Sequence, residues 1–289
     1  MSFKVWQSLK MSLSAITICL SSACSPVTVL NAMIPAEGYQ KQADIAYGAL
    51  SRQTLDIYTP VYVSPAQRLK TVLFFYGGSW DSGRKEDYKF VAEALTSAGY
   101  IVVIPDYRVY PDVIFPEFMA DAAKAVSWTK QHVAQYGGDE KEIYLMGHSA
   151  GAHIAAMLTL DKQFLAKQNL SPMAIKGMIG LAGPYDFLPL KSNRLKTIFG
   201  PENERWKSQP INFVAGENPP MLLLVGEKDR TVLPRNTYHL ADKVKQKGGK
   251  VELISFQDYN HVQMISHLAK PLRKDGKLRA SIIEFLERN

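Results

Sequence analysis

Residues 147–151 read Gly147-His148-Ser149-Ala150-Gly151, between an apolar run at 143–146 and an Ala-rich stretch that continues to residue 160. G-x-S-x-G between a strand and a helix presents a serine hydroxyl on a sharp, strained turn. Cβ atoms at positions 147 and 151 would collide with neighbouring chain, so glycine is required there. Ser149 then stands at a helix N-terminus, where developing negative charge is favoured. A serine hydroxyl needs a partner base. His261 follows the apolar run at 251–256 and the loop Gln257-Asp258-Tyr259-Asn260, which sets it at the end of a strand. His267 is the other downstream histidine, about two helical turns further on and expected to pack on a helix or the surface. The chain order for this chemistry is Ser, acid, His. Asp229 follows the run at 221–226 and leads into Thr231-Val232-Leu233-Pro234. Its expected work is to hold the His261 tautomer and stabilise the imidazolium. Asp186 is the rival acid, with a structural role in the Gly183-Pro184-Tyr185-Asp186 turn as its alternative. Asp258 is too close to His261 in sequence to orient it. His148 and His153, flanking the elbow, are expected to pack and to bond locally.

A second glycine-rich loop, Tyr76-Gly77-Gly78-Ser79-Trp80, follows the apolar run at 71–76. Adjacent glycines let backbone N–H groups turn into a site, and losing one such donor typically costs about 2.7–4 kcal/mol of transition-state stabilisation. Gly78 and Ser79 are the expected donors, with Ala150 as the third. Trp80 either walls the substrate pocket or packs in the core.

These groups need a scaffold of parallel strands whose ends lie side by side. Apolar runs at 71–76, 101–105, 143–146, 178–182, 221–225 and 251–256 suit strands buried on both faces. Helical patterns at 87–97, 118–136, 149–160, 236–247 and 278–287 lie between and after them. That alternation predicts β-α-β units in a mostly parallel sheet. Segments 43–46 and 54–58 are expected to add a leading antiparallel pair. A polar, weakly periodic stretch at 187–220 breaks the alternation and is read as a short insertion over the sheet edge.

With 46% hydrophobic and 21% charged residues the chain has a globular composition. The formal charge of +7 comes from scattered basic residues. Only Lys243, Lys245, Lys247 and Lys250 cluster, and nucleic-acid binding would want a denser stripe with interleaved aromatics. Residues 1–23 differ: Lys4 and Lys10, an apolar stretch at 11–20, then Leu20-Ser21-Ser22-Ala23-Cys24. Such a leader reads as a secretory signal. Its end resembles a bacterial lipobox, with the Leu one position further from the Cys than usual. The expectation is a signal peptide over 1–23, lipidation of Cys24 as the mature N-terminus, and export to the periplasm with membrane attachment there. Plain secretion, an uncleaved anchor and a leader without an export role are the alternatives. The cysteines are Cys19 and Cys24, so removal of 1–23 leaves no possible intrachain disulfide.

Together these residues resemble the carboxylesterase and hormone-sensitive-lipase-like branch of α/β-hydrolases. That branch includes acetyl-xylan and feruloyl esterase-like, kynurenine formamidase-like and prenylcysteine methylesterase-like enzymes. The resemblance rests on Tyr47-Gly48, Leu55-Asp56-Ile57-Tyr58, Gly77-Gly78-Ser79-Trp80, Asp106-Tyr107-Arg108, Gly147 to Gly151 with Ala152-His153, Asp229 and His261. It spans roughly residues 44 to 265. It implies an α/β-hydrolase sheet of about eight strands with helices on both faces, one domain over 24–289, a covalent acyl-enzyme and no cofactor. One departure stands out: the oxyanion motif of that branch opens with His, and here the position is Tyr76. The expected substrate is a small carboxylic ester. An arylformamidase-like amidase would use the same triad. A non-catalytic binding protein on this fold would be marked by loss of the Ser, the His or the acid, and all three are present. Serine at the elbow excludes a dehalogenase, which needs a carboxylate there. A metallohydrolase would need a paired-His spacing that the chain lacks, so no metal site is expected.

Overall fold

The computed structural model describes residues 30–289 apart from 36, 63, 65, 66 and 274. The leader and Cys24 lie outside the described residues. Eight strands form one sheet: β1 (Tyr39–Ala46), β2 (Thr54–Pro60), β3 (Leu69–Phe75), β4 (Ile101–Pro105), β5 (Gly138–His148), β6 (Gly177–Leu181), β7 (Met221–Gly226) and β8 (Val251–Phe256). Their spatial order is β1-β2-β4-β3-β5-β6-β7-β8. The β1–β2 and β2–β4 pairs are antiparallel, and every pair from β4–β3 to β7–β8 is parallel.

Burial follows from the order. All residues of β4, β6 and β7 are buried, and successive side chains point to opposite faces, so both faces of the sheet are covered. Helices Lys89–Thr96, Glu117–His132, Ala150–Leu160, Arg235–Gln246 and Lys277–Arg288 provide the cover. The β8 strand is only half-buried for most of its length. Its run is interrupted by Glu252 and Ser255, as suits an edge strand and not a doubly covered one.

Because β3, β5, β7 and β8 run parallel, their carboxyl ends open on one edge of the sheet. Ligand sites of open α/β sheets form there. The loop at 76–80, the elbow at 149, Asp229 and His261 each follow one of these ends.

The stretch at 187–220 has structure of its own, and residues from its 187–195 part line the cavity at Ser149, at the carboxyl ends of the strands. It holds the helix Asn193–Ile198 and the short helical turns Glu202–Ser208 and Pro210–Phe213, between β6 and β7. Leu190, Ile198, Phe199 and Ser208 are buried. The Phe115 N–H donates to the Ile198 carbonyl, and the segment lies over the elbow helix. Its apolar residues sit at irregular spacing because short helical turns contribute them one at a time, which leaves no helical period to read.

Candidate active site

Ser149 has φ 55° and ψ −123°, a left-handed backbone that a non-glycine residue holds only when its surroundings impose it. Two bonds impose it here. The Ser149 N–H donates to the Leu181 carbonyl at 2.9 Å, and the Ser149 carbonyl accepts from the His153 N–H at 3.1 Å. Gly147 and Gly151 cross without side chains. A Cβ on Gly147 would stand 2.3 Å from the Gly151 carbonyl.

Three side chains from three strand ends meet in a line. The Ser149 hydroxyl donates to His261 Nε2 at 2.9 Å, and His261 Nδ1–H donates to Asp229 Oδ2 at 2.7 Å. Asp229 is 1% exposed, and its other oxygen accepts from the Thr231 and Val232 N–H groups, both at 2.8 Å. The carboxylate is therefore fixed by its own loop and leaves one oxygen for the imidazole. Neither rival joins this line. Asp186 pairs with His239 at 2.6 Å instead of bonding the backbone of its own turn, because the Asn236 side chain already takes the Tyr185 and Asp186 N–H groups. Asp258 pairs with Lys228. His267 packs edge-on against Tyr259.

The loop at 76–80 lies against Ser149: a Cβ on Gly77 would be 3.1 Å from the Ser149 Cβ. Gly78, Ser79 and Trp80 all have positive φ, at 131°, 50° and 60°. Among the described residues, no loop or turn backbone bond uses the N–H groups of Gly78, Ser79 or Ala150. Trp80 does both things the sequence allowed. It is nearly buried, and it lines the cavity that opens on Ser149.

Tyr76 replaces the polar support of a histidine with a different one. Its ring stacks between Tyr88 and Tyr107, at 5.5 and 4.7 Å between centroids. Its hydroxyl donates to Asp106 Oδ1 at 2.6 Å and accepts from Arg52 Nη2 at 3.0 Å. Arg52 also bonds the Gly83 and Tyr107 carbonyls, and the Tyr107 hydroxyl bonds the Tyr76 carbonyl at 2.7 Å. Burial pushes the Tyr76 phenol well above its usual range and raises the Asp106 carboxyl. The sequence hinted at this bracket only through the dipeptide Asp106-Tyr107; nothing pointed to Arg52.

The two histidines of the elbow bond across the fold. His148 Nε2–H donates to the His261 carbonyl at 3.0 Å. His153 accepts from Trp80 Nε1–H at its Nδ1, 3.3 Å, and donates from Nε2 to the Ser208 carbonyl at 2.7 Å. Burial holds both imidazoles neutral. It takes His148, with nearby His261 adding to it, down to about 3, and His153 down to about 4. Both groups titrate near 6.5 in an unfolded chain, so on acidification the unfolded state takes up protons first. The stability they contribute is complete above pH 6.5 and is lost as the pH falls from there toward the folded values. Between pH 7 and 5 the expected loss is about 2 kcal/mol per histidine. Urea unfolding of the wild type and His153→Gln at both pH values tests this. The variant should lose markedly less stability over that interval, and an equal loss would refute the assignment.

Among the described residues, no group of three or more His, Cys, Asp or Glu side chains is placed to hold a metal ion. The parallel sheet, the strained elbow and the three-residue line at its tip define a carboxylesterase-like α/β-hydrolase. The chain belongs to the BD-FAE family, whose model matches residues 55–244. It is 30% identical over 81% of its length to an isoprenylcysteine alpha-carbonyl methylesterase of Arabidopsis thaliana, and spans 59% of that protein. It is 27% identical over 79% of its length to a kynurenine formamidase of Danio rerio, spanning 77% of that one. Among solved structures, the apo form of Thermogutta terrifontis esterase 2 superposes with a TM-score of 0.73 at 26% identity, covering 88% of this chain and 96% of that one. That esterase has also been solved with butyrate bound.

Proposed function

We propose that this chain is a serine esterase that cleaves small carboxylic esters through an acyl-enzyme. The observation that carries the reading is the Asp229–His261–Ser149 line at the mouth of a cavity of about 460 Å³. Ser149 Oγ attacks the ester carbonyl while His261 Nε2 takes its proton. The oxyanion is met by the N–H groups of Gly78, Ser79 and Ala150. His261 then protonates the leaving alcohol, and a water activated by the same imidazole releases the acid. The whole reading is of an exported hydrolase domain over 24–289, held at a membrane by acylated Cys24, with a small-molecule ester as its partner.

Esterase names among the relatives support this, and the bound butyrate of the structural neighbour supports short acyl groups. A second reading is supported by the likeness to a kynurenine formamidase: the same line of residues would open an aryl formamide.

The test is hydrolysis of p-nitrophenyl acetate, butyrate and octanoate, with fluorophosphonate labelling located by mass spectrometry. Acetate and butyrate should be turned over about tenfold faster than octanoate, the preference for short acyl groups that the butyrate-bound neighbour supports. The label should fall on Ser149. A folded protein that spares all three esters and stays unlabelled would end the esterase reading. Turnover of an aryl formamide above that of the matched ester would favour the amidase.

A further inference from the structure

The charged residues that line the cavity at Ser149 are all of one sign. Its rim carries Lys191 and Arg194 from the 187–220 segment, and Arg230 and Arg235 from the chain after β7. Among the described residues, no carboxylate lines it. Arg194 is neutralised by Asp81 at 2.5 Å. Lys191, Arg230 and Arg235 are exposed and have no ionic partner among the described residues. The acids nearby in sequence are already committed: Asp229 to His261 and its own loop, Asp186 to His239.

Scattered surface cations are common in a chain of formal charge +7 and by themselves mean little. Here two separate segments bring theirs to the one cavity that contains the nucleophile. A third feature has the same sign. Arg235 opens the helix Arg235–Gln246, whose first turn contains no acidic residue. The positive end of a helix favours anions, and acidic side chains commonly occupy that turn. A cleft lined by one sign of charge focuses its field and concentrates ligands of the other sign.

We propose that the substrate is an ester carrying a second, anionic group, held by Arg230 and Arg235 with Lys191 while the ester lies at Ser149. Trp80 and Phe187, stacked at 5.8 Å on the same cavity, would take the apolar part of such a molecule. The inference rests on the esterase reading and adds the charge of the substrate to it.

Matched ester pairs test it on both sides of the scissile bond. On the acyl side, mono-p-nitrophenyl glutarate is compared with p-nitrophenyl pentanoate. On the alcohol side, 4-acetoxybenzoate is compared with its methyl ester. At about 0.02 M salt the anionic member of one pair should exceed its neutral partner at least tenfold in kcat/KM. The ratio should collapse at roughly 0.5 M salt, where charges are screened within a few ångströms. Arg230→Gln with Arg235→Gln should lower that ratio about tenfold, mainly through KM, because exposed ion pairs are individually weak. The neutral member of each pair reports that the variant is folded and that the Asp229 loop is intact. Neutral esters turned over with no anionic preference in either pair, or a preference that survives the double variant, would overturn the charge proposal and leave the esterase standing. Four untouched esters and an unlabelled Ser149 would remove both.

Discussion

Replacing Ser149 by alanine is expected to lower kcat for p-nitrophenyl butyrate by about 10⁵- to 10⁶-fold, the scale seen when the serine of such a triad is removed. The change deletes one oxygen whose only side-chain bond among the described residues is to His261 Nε2. Alanine meets the same left-handed φ of 55° as serine, so no strain is relieved or added. The unfolding midpoint should therefore stay within about 2 °C of wild type, since each kcal/mol moves a domain of this size by only ~2–4 °C. Steady-state turnover and a thermal melt on one preparation check both parts. A variant that keeps even a hundredth of wild-type activity would show that Ser149 is not the nucleophile.

Gly151→Ala should be the most damaging single methyl in the fold. Its Cβ would stand 2.0 Å from the Phe75 carbonyl oxygen and 2.5 Å from that of Tyr76. Both atoms are backbone at the end of β3, where a rotamer change gives no relief. Either the elbow helix moves away from the sheet or β3 loses register with β5, to which Phe74 and Phe75 pair through Met146 and Gly147. Overpacking that side chains can absorb costs about 1–3 kcal/mol. This clash should cost more than about 4 kcal/mol, a large share of a stability of about 5–15 kcal/mol. The expected result is insoluble protein, or a melting temperature lower by at least about 10 °C. Gly177→Ala is the comparison, because the atoms nearest its Cβ would be those of the Phe285 and Tyr144 rings, at 3.0–3.1 Å. Equal stability of the two variants would contradict this account.

The line of Ser149, Asp229 and His261 could be read in the sequence because each residue follows an apolar run that can only be a strand end. Parallel strands then bring those ends together without further information. The groups that hold the line were harder to see. Arg52 reaches Tyr76, Gly83 and Tyr107 from a turn between β1 and β2, and no spacing rule connects residues that far apart. His148 and His153 bear the same difficulty. Their neighbours in sequence suggest local bonds, while their rings reach carbonyls at 261 and 208. Asp186 was open to two readings, and what decides its place is His239, from the next helix over. For the segment 187–220 the polar composition gives no sign of its packing, because Phe199 is buried by tertiary contact with Trp80 and Phe115, which composition does not encode.

The bond series from Trp80 through His153 to Ser208 has a practical meaning for anyone wishing to re-engineer this protein. The segment over the active site looks like an interchangeable module, a cassette to be swapped for a longer or shorter one to admit other substrates. Its carbonyl at 208, however, is what orients the imidazole that in turn receives the indole of the loop beside Ser149. A graft that shifts this one acceptor would leave Ser149 in place and disturb the loop next to it. Altered pockets are better sought by changing side chains on the outer turn of Asn193–Ile198, with the backbone from 199 to 210 kept as the wild type has it.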